Sequence, residues 1–189
     1  MIRDPVDLAP FPDAAAALCF AYRHRHGNYP ASTLDQRRPQ AKTADGPTLP
    51  IGQEAAALAG WVQQLVEGSG DLVGLVEPYR SIVIARYCPK PRENLGAKLR
   101  VMAWLLEQVG HQVRPKMADL LLQRYFGGTM VGPDGARRPI RQHQIADACG
   151  VTQPAVSQAW SKIRPVLDQH ERRAMEMLYR NMRGRGLVS

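Results

Sequence analysis

At 189 residues, 44% hydrophobic and 22% charged, the chain has the make-up of a globular protein, with length for one compact domain or two small ones. No apolar run nears the ~20 residues of a membrane span, and the acids and prolines of "MIRDPVDLAPFPDAAAALCF" make a poor secretory signal. Cys19, Cys88 and Cys149 are too scattered for a CxxC metal pair or a disulfide framework, so a reducing cytoplasm is the expected setting.

Residues 13–26, "DAAAALCFAYRHRH", read as a helix with Asp13 as its N-cap. Residues 28–50, rich in proline and polar side chains, lose all periodicity and read as a linker, so 1–50 forms an N-terminal helix and extended arm. From Ile51 the signal is helical. Leu58, Trp61, Leu65 and Val62 or Val66 define one face. Asp71 is expected to cap a second helix carrying Leu72, Val76, Tyr79, Val83 and Tyr87, with Pro78 a kink or a break. Asn94 is expected to start a third, with Leu95, Leu99, Met102, Leu106 and Val109 inward and Gly110 closing it. Pro115 stands at N1 of a fourth, with Met117, Leu120, Leu121 and Tyr125 on its apolar face. The core is thus a helical bundle over 51–126. A Gly-rich loop follows at 127–138, where Pro133-Asp134-Gly135 either turns a short β-hairpin at 129–138 or stays open.

Charge is unevenly placed along this order. The net is +8; residues 1–136 hold 15 Lys+Arg against 13 Asp+Glu, and residues 137–189 hold 10 against 4. A basic C-terminal segment suits a polyanion such as DNA, or serves as a solubilising surface.

Within that segment, "QIADACGVTQPAVSQAWSKIR" breaks a helical pattern at Gly150 and restarts it two residues later. A helix-turn-helix needs two helices joined by a very short turn, with a left-handed residue that glycine adopts most cheaply. Ile145 and Cys149 lie one turn apart on the first helix, with Ala146 as the small residue at the crossing. Val151 plugs the turn, Thr152 is the N-cap of the second helix, and Gln153 and Pro154 fill its first turn. Val156, Ala159 and Ile163 continue the buried stripe. The opposite face then holds the candidate DNA-reading residues: Thr152, Gln153, Pro154, Ser157, Gln158 and Ser161. Gln pairs bidentately with adenine in the major groove, and Ser serves either base-edge polarity. Arg137, Arg138, Arg141, Lys162 and Arg164 are placed for phosphates. The alternatives for this face are a solvated surface or a helical hairpin for protein contacts. The domain 139–182 ends in a C-terminal helix that either dimerises or packs back, with Glu171 near its apolar stripe. Arg180, Arg183 and Arg185 lead into a frayed basic tail at 183–189 that adds salt-dependent affinity.

Enzyme constellations are not expected. "GGTMVG" has the outer spacing of a phosphate loop, but Pro133 stands where lysine belongs. His24 and His26, two apart on a helix with Cys19 nearby, point in different directions, so no metal or cofactor is expected.

"GVTQPAVSQAW" resembles the DNA-reading unit of Cro-like and sigma region 4-like regulators. Over residues 10–165, "EPYRSIVIARY", "LLLQRYFGG", a basic loop and a C-terminal helix-turn-helix resemble phage and prophage late-gene antiterminators of the Q type, without the cysteine-rich zinc insertion of some of them. The resemblance implies a transcription regulator that binds double-stranded DNA near a late promoter of a bacteriophage. It would load onto RNA polymerase paused with its sigma factor and carry it past terminators. Residues 152–162 would read DNA, and the helices of 51–126 or the N-terminal arm would meet polymerase. Two rivals stand beside it: a dimeric (homodimer) repressor or activator, and a DNA-recognition subunit like a small terminase.

Overall fold

Asp13 opens the first helix as expected. Its Oδ1 accepts a hydrogen bond from the Ala16 amide at 2.7 Å, satisfying one of the donors a helix start leaves free, and α1 runs Ala14–Arg25. The computed structural model describes residues 9–25, 53–70, 72–110, 113–131 and 136–189. The arm at 28–50, Asp71 and the turn Pro133-Asp134-Gly135 lie outside them. Within the described residues the fold is helical apart from one hairpin: α2 (Gln53–Glu67), α3 (Tyr79–Tyr87), α4 (Pro91–Val109), α5 (Pro115–Tyr125), β1 (Thr129–Val131), β2 (Arg137–Pro139), α6 (Gln142–Cys149) and α7 (Gln153–Arg183). No described helix is long and apolar enough to cross a membrane. The hairpin pairs Thr129 with Pro139, Met130 with Arg138 and Val131 with Arg137, antiparallel.

The apolar side chains gather in two clusters. The first holds α1, α2 and the C-terminal end of α7, through residues such as Leu18, Tyr22, Val62, Val66, Leu178 and Met182. Here α1 and α2 pack together, and alanines (Ala14, Ala17, Ala21, Ala55, Ala59) form much of the contact surface. The expected face of α2 is in place through Val62, Leu65 and Val66, with Leu58 partly buried beside them, but it is extended by Ala55 and Ala59 and does not include Trp61. Trp61 is 55% exposed, while Ala55, Ala59, Val62, Leu65 and Val66 are buried. Large apolar residues dominate a periodicity reading, but closely approaching helices are lined by small ones. The one buried amide on this face, Gln63, donates from Nε2 to the Ala21 carbonyl at 2.8 Å, as a buried polar group must.

The expected helix from Asp71 does not form. Residues 72–76 are non-helical, and Val73 and Val76 are 86% and 57% exposed. A Cβ on Gly74 would lie 2.3 Å from the Gly68 nitrogen, so the chain folds back on itself there in a way that excludes any other residue. Pro78 is the break, not a kink, and α3 starts at Tyr79. The next helix starts three residues before Asn94, at Pro91. Asn94 caps its neighbour instead: Nδ2 donates to the carbonyls of Ala85 at 2.8 Å and Cys88 at 3.0 Å, closing the end of α3. The inward face of α4 is Ala97, Val101 and Leu105, and Leu95 and Leu99 are 59% and 51% exposed.

The second cluster joins α4 and α5 to the segment from Ile140 to Leu167, with Val101, Leu105, Leu121, Ile145, Val156 and Ile163 at its centre. Pro115 stands at N1 of α5 as expected. The 31-residue α7 crosses both clusters: Val156 to Leu167 pack in the second, and Ala174 to Met182 pack back on the first. The end of the chain is not frayed. Phe11 donates its amide to the Leu187 carbonyl at 3.2 Å and bridges Val188, and Leu187 and Val188 are buried. Two apolar side chains among the arginines anchor it.

Pro165 lies inside α7, exposed. Its missing amide removes the helical donor to the Ser161 carbonyl. An interior proline costs about 3 kcal/mol in a bare helix, so Pro165→Ala is expected to raise stability by roughly 1–3 kcal/mol, read as a higher urea midpoint at constant slope. A lower midpoint would show that both halves of α7 depend on the local geometry that proline imposes.

Candidate nucleic-acid interface

The break between α6 and α7 is a left-handed corner at Gly150, with φ 63° and ψ 42°. The Val151 amide donates to the Ala146 carbonyl at 3.0 Å, and the Gly150 amide donates to the Asp147 carbonyl at 3.3 Å. This pair of bonds is the Schellman ending, which satisfies helix-terminal carbonyls and turns the chain sharply. Lys116 Nζ from α5 donates to the Ala148 carbonyl, and a cation there also suits the negative end of α6. A Cβ on Gly150 would meet nothing within 4 Å, so φ alone restricts this position. Gly150→Val is therefore expected to cost about 2 kcal/mol through left-handed strain, and Gly150→Asn clearly less. Thermal melts of the two variants check the difference.

The predicted interior of the motif is in place. Ile145, Ala146, Val156, Ala159 and Ile163 are buried, and Met117, Ala118, Leu121 and Leu122 of α5 close the third side. Cys149 and Val151 are half-buried, packed against this cluster rather than sealed within it. Thr152 holds the N-cap position with extended backbone, but its side chain makes no capping bond. The residue is exposed.

All six candidate base-facing residues are exposed: Thr152, Gln153, Pro154, Ser157, Gln158 and Ser161. They share the first three turns of one helix. Ser161 Oγ donates back to the Gln158 carbonyl at 2.8 Å, leaving its oxygen as an acceptor. The five candidate phosphate residues are exposed too. Arg141 precedes α6, and its amide donates to Gln144 Oε1 at 2.9 Å. Arg137 and Arg138 stand on β2, and the root of the hairpin is fixed by buried Ile140 and by Met130 against the second cluster. Arg164 is less available than expected: its Nε lies 3.3 Å from Asp168 Oδ2 on the next turn. From Arg137 to Arg164 the chain carries five cations and one acid, Asp147.

What fixes this helix was missed in the sequence. Glu171, on the buried side of α7, meets Arg86 of α3 in a two-pronged pair, Nε to Oε1 at 2.9 Å and Nη2 to Oε2 at 2.8 Å. Arg86 Nη1 also donates to the Tyr125 carbonyl at 2.9 Å, and the Tyr125 hydroxyl donates to Glu171. The guanidinium sits 4.8 Å from the centre of the Tyr125 ring. Burial alone would raise the Glu171 carboxyl; Arg86 and Tyr125 outweigh it and hold the carboxyl below its ordinary value. Burial, then Glu171, push the Tyr125 hydroxyl upward. The preceding residue, His170, donates from Nδ1 to the Val166 carbonyl at 2.8 Å, its ring near Tyr79 and Trp104 at 5.6 and 4.6 Å. An acid in an otherwise apolar stripe was the available signal, because it demands a cation.

Among the described residues no three His, Cys, Asp or Glu side chains gather as metal ligands. The surface recesses are shallow. The one between α3 and α4 is lined by Arg80, Arg92 and Arg100 with Glu67 and Glu93, a mixture of both charges. No protein-family model, curated protein or solved structure matches this chain.

Proposed function

We propose that this chain is a sequence-specific double-stranded DNA-binding regulator of transcription, acting in the cytoplasm as a binding protein and not as an enzyme. The first turns of α7 enter the major groove, where Gln153 and Gln158 read base edges with Ser157 and Ser161 beside them. Arg137, Arg138, Arg141 and Lys162 grip the flanking phosphates. One observation carries the reading: a left-handed glycine corner delivers a helix whose whole predicted reading face is exposed. Within it, the resemblance to Q-type antiterminators favours action on RNA polymerase and its sigma factor at a late promoter.

Transcription in vitro through a terminator tests that mechanism. Read-through that needs both this protein and a promoter-proximal pause supports antitermination. A second reading, the dimeric repressor or activator, draws on exposed Leu95 and Leu99 of α4. It expects a footprint by the protein alone, with half-sites about one helical turn (~34–36 Å) apart. Ring oligomers without an effect on transcripts would favour the small-terminase-like role. Failure to bind any duplex sinks all of these.

A further inference from the structure

The reading face does not end where the motif ends. Three turns of an α-helix take about eleven residues, so a residue eleven beyond another stands on the same side. Arg172 repeats the position of Ser161, and Arg173 repeats that of Lys162. Both arginines are exposed. Neither makes an ion pair or hydrogen bond with any described residue, whereas Arg164 is paired with Asp168 and Arg86 with Glu171. Asp13 and Glu176 border the same shallow recess as Arg172, but neither carboxylate pairs with it. Leu167 and Ala174 are buried on either side of the Arg86–Glu171 pair, so this stretch of α7 is fixed to the body of the protein.

We propose that Arg172 and Arg173 are phosphate contacts, holding the DNA strand that borders the major groove entered by the first turns of α7. The proposal rests on the DNA-binding reading above. The spacing supplies the argument. Eleven residues advance a helix by about 16 Å, and the major groove is about 12 Å wide. With Ser161 at the base edges, the next residues on that line have passed the groove and stand over its phosphate wall. The guanidinium fork matches phosphate geometry. Arg180 and Arg183 lie on the same helix but about 28–33 Å from Ser161, beyond that wall, and the tail they lead into is tied back to Phe11 instead of trailing free. The salt-dependent affinity expected of them as a loose tail is therefore withdrawn, and they serve as a control of equal charge.

The test uses the full-length protein, a fluorescein-labelled 30-bp random-sequence duplex and anisotropy titrations from 50 to 200 mM salt. Arg172→Gln with Arg173→Gln is expected to flatten the plot of log affinity against log salt by about 1.8, close to 0.9 for each lost contact. Arg180→Gln with Arg183→Gln is expected to leave the slope within about 0.5 of the parent. Circular dichroism melts verify that both variants fold. If the parent binds duplex but the first pair keeps the parental slope, or if both pairs flatten it equally, this inference falls and the DNA reading stands. If the parent binds no duplex at 50 mM salt, both fall.

Discussion

Replacing Gln153 and Gln158 together by alanine is expected to weaken binding to a selected target site by about 3 kcal/mol, near 150-fold, with binding to random duplex almost unchanged. Both side chains are exposed on the first two turns of α7, and neither supports the fold. Truncation should therefore shift stability by no more than ~0.5 kcal/mol. A glutamine amide held against an adenine edge forms two hydrogen bonds, and each such pair is worth roughly 1–3 kcal/mol of discrimination. On the proposed reading, the phosphate contacts of Arg137, Arg138 and Arg141 would not depend on sequence, so they should preserve random-duplex binding in the variant. The site is obtained by selection from a random library, and both affinities are measured at one salt concentration. Equal losses on the selected and random duplexes would remove these residues from base reading. A lowered melting temperature would place them in the fold.

The corner at Gly150 was legible because its cause is local. A short turn between two amphipathic segments needs one left-handed residue, a small residue at the crossing and apolar residues on fixed sides, and all of these lie within 21 residues of sequence. Asp13 and Pro115 were legible for the same reason, since a cap and an N1 proline act within one turn. Of the two readings left open for 129–138, the hairpin is the one that forms, with β1 and β2 paired antiparallel.

Misreadings fell where a distant partner decides. Trp61 fits the stripe of α2 but stands exposed, while Ala55 and Ala59 join the cluster that holds Ala14, Ala17 and Ala21 of α1, and no pattern inside α2 announces that. Leu95 and Leu99 fit a helical stripe, but the neighbours of α4 cover Ala97, Val101 and Leu105 instead. Asn94 had the chemistry of a cap and capped the wrong helix, because the carbonyls it satisfies belong to α3. The tail was read from its arginines, and two buried residues, Leu187 and Val188, tie it to Phe11 in the N-terminal segment.

The largest stability effect is expected at the pair that joins α3 to α7. Arg86→Ala or Glu171→Ala should each cost about 2–3 kcal/mol, below the 3–5 of a fully buried pair because water reaches this one: the two side chains keep 30% and 20% of their exposure. Each single variant strands its partner among apolar neighbours, so the double change Arg86→Met with Glu171→Leu should recover much of the loss. The pH profile carries a second signature. The folded Glu171 carboxyl lies below its ordinary value near 4.5, so its contribution is complete above that pH and disappears as acid protonates it. Glu77 is lowered as well, through its bonds with Ser81 and Arg80 against the cost of burial, and adds to the same acid loss. The Tyr125 hydroxyl is raised above its ordinary value of 10.0, so its share is present below that pH and fades as alkali rises past it. Urea titrations across pH should therefore show stability falling at both ends. Glu171→Gln should flatten the acid limb and Tyr125→Phe the alkaline one. An acid limb unchanged in Glu171→Gln would mean that carboxylates elsewhere govern acid unfolding.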